Sequence, residues 1–109
     1  MAELDDDRAA EVVIDTGVDP TGAAIVTVSG DLDISNAATL ERAVASITAE
    51  RPERLIFDLS GLRFMDSAGI AVLLDAAGKV NAVRLRDPST AVRRVVELTG
   101  LTDVLSIES

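Results

Sequence analysis

The densest cluster of polar side chains in an apolar setting is Asp58-Leu59-Ser60-Gly61-Leu62-Arg63-Phe64-Met65-Asp66-Ser67-Ala68-Gly69. It lies between two apolar runs, Leu55-Ile56-Phe57 and Ile70-Ala71-Val72-Leu73-Leu74. The first run reads as a buried strand and the second as a buried helix opening at about Ser67, which places Ser67 in the helix's first turn. That turn has unpaired N–H groups and the positive end of the macrodipole, so it stabilises an anion by roughly 0.3–1 kcal/mol. A phosphate ester on the Ser67 hydroxyl would add about −1.5 to −2 charges beside Asp66 without melting the helix. The residue types therefore allow a switch that alters what the surface binds more than how the chain folds. A purely structural reading, with Asp66 or Ser67 as an N-cap, explains the same dipeptide.

Composition removes most other chemistry. The 109 residues contain no Cys and no His, which excludes thiol nucleophiles, disulfides, Cys/His zinc sites and a Ser-His-Asp triad. No EF-hand spacing is present, so no metal site is expected. Without His, Cys or a placed Lys to activate it, Ser67 is a poor nucleophile, and no catalytic residue is assigned. Aromatic residues are two Phe alone, which gives bases or sugars no stacking platform. The net charge of −9 is unevenly spread. Residues 1–35 hold nine acids (Glu3, Asp5, Asp6, Asp7, Glu11, Asp15, Asp19, Asp31 and Asp33) against Arg8, while the rest hold ten acids and nine bases. A nucleic acid would be repelled by that third of the chain, and a basic protein surface attracted. No apolar run approaches the roughly 20 residues of a membrane span, and the acidic start is unlike a secretory signal. A cytoplasmic protein without a membrane partner is expected.

The elements that must position Ser67 follow from periodicity. Residues 1–9 read as an acidic disordered tail, and residues 10–109 as one domain. Glu11–Asp15 and Ala24–Ser29 read as strands, the second closed by Gly30. Leu40, Val44 and Ile47 mark one face of a helix over Asn36–Ala49, capped by Ser35 or Asn36 and ended by Pro52. Leu55–Leu59 is a strand, with Ser60-Gly61 turning the chain. A helix over Ser67–Ala77 is bounded by Gly78, and Val80–Arg86 alternates as a strand with one buried face. Asp87-Pro88 reads as the cap and first position of a helix carrying Val92, Val95 and Val96, with Gly100 beyond its end. Val104–Ile107 adds a last strand. This order predicts an α/β domain, with a mixed, mostly parallel sheet of four to five strands and helices packed against it.

Three segments resemble one family in the same order along residues 11–107. Leu55-Ile56-Phe57-Asp58-Leu59-Ser60 and Asp66-Ser67-Ala68-Gly69-Ile70 are similar to the signature of STAS domains, specifically bacterial anti-sigma-factor antagonists. Val28-Ser29-Gly30-Asp31-Leu32-Asp33 resembles the family's strand ending in Gly-(Glu/Asp)-Leu-Asp. Pro88 to Leu101 resembles its third helix and closing Gly-Leu. The resemblance implies a STAS fold and a partner, an anti-sigma factor with serine kinase activity. It implies that this partner is bound by the unphosphorylated form and released on phosphorylation of Ser67. Asp33, Asp58, Asp66, Ala68 and Gly69 are then the switch environment, with Ala68 replacing an acceptor that some relatives carry. The partner kinase supplies ATP and catalysis, so the chain itself needs no cofactor. A monomer is expected, with a weak homodimer as the alternative state. After Gly78 only Lys79-Val80-Asn81-Ala82 precede the Val83 strand, so the Ser67 helix is about a turn shorter than in the family pattern. Phe64 and Met65 are expected to pack under the loop. The alternative is a STAS scaffold or nucleotide-sensing module with no phospho-switch, although no Gly-rich phosphate loop is present.

Overall fold

Among the described residues, β-branched and aliphatic runs between Gly, Pro and Asp turns make five strands, and the longer periodic stretches make three helices. A computed structural model describes residues 11–108. The order is β1 (Val12–Val18), β2 (Ala24–Leu32), α1 (Ala37–Thr48), β3 (Arg54–Met65), α2 (Ser67–Ala77), β4 (Ala82–Arg86), α3 (Thr90–Leu98) and β5 (Ser106–Glu108). The tail expected over residues 1–9 lies outside the described residues.

The five strands form one sheet in the order β1-β2-β3-β4-β5. β1 pairs with β2 antiparallel, and every later pairing is parallel. Each parallel crossover steps the same way across the sheet, and such crossovers are right-handed, so all three helices fall on one face. Burial agrees. Val26, Val28, Leu55, Phe57, Leu59, Val83 and Leu85 point into the core with Leu40, Val44, Leu73, Val92 and Val96 from the helices.

Among the described residues the opposite face has no helix. Its polar residues Thr27, Asp58, Arg84 and Arg86 alternate with the core positions. The β1–β2 turn folds across part of it, where Asp19 pairs with Arg86 at 3.7 Å and Arg54 donates to Thr21 Oγ1 at 3.0 Å. Ile56, on the same face, is left only 3% exposed. Thr21 donates its backbone N–H and hydroxyl to the Asp19 carboxylate, and with Ala23 N–H and Arg86 these hold its pKa below the usual range. A depressed carboxylate contributes stability at neutral pH that is lost as pH falls through its folded pKa. Asp19→Asn should therefore flatten the acid limb of a stability-against-pH curve below the ordinary carboxylate range, read by urea unfolding at several pH values.

Three strands run further than expected from sequence, β1 among them, which continues past Asp15 through Gly17 to Val18. β2 does not close at Gly30 but continues to Leu32, with Gly30 at φ 97°. β3 does not turn at Ser60-Gly61 but continues to Met65 through two bulges. Between Thr27↔Asp58 and Ser29↔Gly61, β3 spends one residue more than β2, and it does so again between Gly30↔Leu62 and Asp31↔Phe64. The Asp58 carboxylate accepts from Ser60 N–H at 3.0 Å and Ser60 Oγ at 2.8 Å, which closes the first bulge locally. Each extra residue shifts the pleat by one, so Leu59, Leu62 and Met65 all face the core at a spacing of three. The last helix also opens later than Asp87-Pro88 suggests. Ser89 is its N-cap, accepting from Val92 N–H at 3.2 Å, while Asp87 takes a positive φ of 50° at the end of β4.

Candidate functional site

The site is built where β2 and β3 end together. Leu32 pairs with Met65, and Leu32 C=O accepts from Asp66 N–H at 3.2 Å. That bond sets Asp33 beside Asp66, at the end of the two strands where α1 and α2 both begin. Asp66 caps α2: its carboxylate accepts from Ala68 N–H at 2.9 Å, and its C=O accepts from Gly69 and Ile70. Ser67 is the first helical residue and is exposed. Its hydroxyl makes no side-chain hydrogen bond among the described residues, so it is presented to solvent from a fixed backbone. The helix start was legible in the sequence, and the cap falls on Asp66.

Asp33 fixes the neighbouring turn. Its carboxylate accepts from Ser35 N–H at 2.8 Å and Ser35 Oγ at 2.6 Å, while its C=O accepts from Asn36 and Ala37. Asn36 precedes α1 but does not cap it by its side chain. Its amide instead clamps the end of β2, accepting from Asp33 N–H at 3.0 Å and donating to Asp31 C=O at 2.9 Å. An Asn among Ser, Asp and Thr reads as a cap in sequence, and only the fold shows which backbone groups it reaches. The rigid turn holds Ile34 at 83% exposure. A large aliphatic residue inside a polar turn, out of phase with the helix that follows, was the signal that sequence reasoning missed.

Ala68 is half-buried and gives its N–H to the Asp66 cap, and Gly69 is explained by packing. A Cβ built on Gly69 would lie 2.5 Å from Met65 Cγ and 2.8 Å from Leu32 Cδ2, so α2 closes on the strand ends only because Gly stands there. Gly69→Val should destabilise the domain by about 1–3 kcal/mol, as overpacking of a filled core does, read as a lower urea midpoint with an unchanged m-value. Asp58 is not brought to Ser67. It sits level with Thr27, five residues before Leu32 along β2, which is roughly 16 Å at about 3.3 Å per residue. Its contacts are those of a bulge. Met65 is buried as expected, but Phe64 is not under a loop: beyond the second bulge it turns to the helix-free face and is 49% exposed. Arg63 pairs with Asp31 at 3.3 Å on the surface. Among the described residues no group of acids is placed to hold a metal ion.

The sheet order, the N-terminal placement of Ser67 and the Asp33–Asp66 junction are the features by which relatives can be compared. The STAS domain family matches residues 10–109. The chain belongs to it. A curated relative, the anti-sigma-F factor antagonist RsfB of Mycobacterium tuberculosis, is 32% identical over 98 residues, covering 85% of this chain and 79% of its own. Among solved structures, an anti-sigma factor antagonist from Mycobacterium paratuberculosis superposes with a TM-score of 0.82 at 29% identity, covering 89% of this chain and 85% of that one. The Bacillus cell-fate determinant SpoIIAA in its phosphorylated form matches with a TM-score of 0.68 at 18% identity, covering 89% and 92%. That last likeness speaks for the fold alone. For a STAS domain, the architecture expected from sequence is the one observed, with the sheet at five strands. No helix among the described residues is long and apolar enough to cross a membrane.

Proposed function

We propose that this STAS domain is an anti-sigma-factor antagonist, which binds an anti-sigma factor through the surface around Ser67 and is released when that serine is phosphorylated. The observation that carries the reading is the exposed Ser67 hydroxyl on the first residue of α2, unengaged among the described residues and beside the Asp33–Asp66 junction. Its geometry suits a modification that leaves the helix intact. Mycobacterial relatives bearing the antagonist name support the choice of partner. The anti-sigma factor is itself the serine kinase and brings ATP. The chain has no turnover of its own and acts in the cytoplasm as a monomer. The role of Asp33 and Asp66 is to fix the backbone that presents the serine and to keep the local charge negative. Asp58 belongs to the strand and contributes through β3.

With a cognate anti-sigma kinase and ATP, one phosphate should be added, at Ser67. Intact mass followed by peptide mapping reads it, and label persisting in Ser67→Ala overturns the assignment. Ile34 and Phe64 are exposed apolar residues at the same end of the sheet, and the bound partner covers Ile34. Ile34→Ser should weaken binding of the unphosphorylated protein about fivefold or more with no loss of thermal stability, because nothing in the domain packs on so exposed a side chain. An unchanged calorimetric Kd would remove Ile34 from the interface.

A further inference from the structure

β1 is an edge strand whose outer side is unpaired among the described residues. Which of its backbone groups face outward is fixed by two hydrogen bonds. Asp31 N–H donates to Glu11 C=O at 2.8 Å at one end, and Asp19 N–H donates to Ala23 C=O at 2.9 Å at the other. Odd-numbered residues therefore bond to β2, and the N–H and C=O groups of Val12, Ile14, Thr16 and Val18 point away from the sheet. Edge strands are ordinarily blunted by Pro, Lys, a bulge or very short length. β1 has seven residues, none of them Pro or Lys, and pairs with β2 without a register shift. The opposite edge, β5, has three.

A groove adjoins this edge on the helix side. It holds about 380 Å³ and is lined by Thr16, Val18, Ala24, Ile47 and Pro52 among others, with Glu50 the one charged residue in its lining. Val18 is 72% exposed beside it. On the other side of the strand Asp15 is exposed, and its β2 partner Thr27 is uncharged. The edge thus offers hydrogen-bonding groups, a recess of mixed lining with Val18, Ala24, Ile47 and Pro52 as its apolar part, and acids at both faces.

We infer that β1 takes up an extended, basic segment of a partner protein as a sixth strand. Apolar side chains of that segment enter the groove at Thr16, Val18 and Ile47, and the Lys or Arg side chains that alternate with them lie against Asp15 on the other face. Main-chain bonds supply affinity in such strand addition, and alternate side chains supply specificity. Charge argues against a second copy as the occupant, since each chain carries −9 and would meet its own acidic edge. Thr16 pairs with Val26, six residues before Leu32 on β2, so the docking edge is roughly 20 Å along the strands from the Ser67 end at about 3.3 Å per residue. Strand addition is therefore independent of the phosphorylation state, and a partner held here stays tethered through both states of the switch.

The test uses the full chain, isotopically labelled, with a blocked seven-residue peptide alternating Lys and Val. Amide exchange at Ile14, Thr16 and Val18 should slow at least tenfold on binding, while Val13, Asp15 and Gly17, already bonded to β2, change little. Ser67→Asp should bind the peptide as wild type does. Thr16→Pro removes an outward N–H and no bond to β2, so it should keep the fold and lose at least tenfold in peptide affinity. Should that variant unfold, Asp15→Lys keeps the backbone and should weaken binding severalfold. Peptide bound as tightly by both variants, or no slowing at these amides, overturns the inference. So does slowing without peptide, whether the mass doubles because a second copy covers the edge or stays monomeric because the chain's own first residues do.

Discussion

Replacing Ser67 with Asp lowers affinity for the anti-sigma factor by tenfold or more and leaves the melting temperature within a few degrees of wild type. The two halves of this expectation have separate causes. Ser67 is exposed and its hydroxyl engages nothing among the described residues, so the substitution breaks no internal contact. A carboxylate at the first helical position interacts favourably with the helix N-terminus. At the interface the added charge must be desolvated or must face like charge beside Asp66 and Asp33, and a loss of about 1.4 kcal/mol is a factor of ten in Kd. The phosphoprotein carries nearly twice the charge of Asp and should bind more weakly still. Calorimetric titration of wild type, Ser67→Ala, Ser67→Asp and phosphorylated protein, with melting curves for each, separates the effects. Early melting of Ser67→Asp would make the residue structural, and full-affinity binding would mean that charge here does not govern association.

The largest loss of stability is expected at Gly30. Its φ of 97° lies where an L side chain is strained, and a Cβ built there would come within 2.2 Å of Glu11 C=O. The atom it meets is backbone, and that carbonyl accepts from Asp31 N–H at the start of the β1–β2 ladder. No rotamer change relieves such a contact. Backbone strain and overpacking of about 1–3 kcal/mol each place Gly30→Ala at about 2–6 kcal/mol. At about 4 °C per kcal/mol for a domain of this size, the midpoint should fall by roughly 8–24 °C. Gly22→Ala is the control, since Gly22 has a similar φ of 90° but nothing within 4 Å of its built Cβ. Equal losses at the two positions would mean that dihedral strain alone matters and the clash with Glu11 is relieved by movement of β1.

Gly30 also shows why the sequence was legible in some places and not in others. Element type followed from period and composition: Leu40, Val44 and Ile47 marked a helix, and Val83 and Leu85 a strand, because local periodicity carries that information. Element ends did not follow where a glycine serves a bulge or a close approach instead of a turn. Gly30 and Gly61 both read as punctuation, yet the ladder passes through each, since pairing with a neighbouring strand overrides the local tendency to turn. Ser67, Asp66 and Asp33 were singled out through a signature, and the structure sets all three where β2 and β3 end and α1 and α2 begin. Asp58 matched the same signature, but its carboxylate is spent on Ser60, a contact that becomes visible only when the bulge is seen. Phe64 was misjudged for a related reason. In an even alternation from Phe57, position 64 would face the opposite side from Phe57, and the assumed loop at Ser60-Gly61 discarded that phase altogether.

The bulges of β3 have a further effect: they make the position of Ser67 depend on counting. From Asp58 onward the strand spends two residues more than β2 does, and Met65 still arrives facing the core with Asp66 in reach of Leu32 C=O. Deleting Arg63, the surplus residue of the second bulge, would restore plain alternation and bring Met65 and Asp66 to the same place. Inserting one residue between Leu62 and Phe64 would instead rotate Met65 outward and carry Asp66 past its acceptor. The serine and its neighbours would be unaltered in kind, yet its address on the surface would be lost. A length change of one residue, remote from the serine itself, thus separates chains that keep it in this place from chains that merely keep its letters.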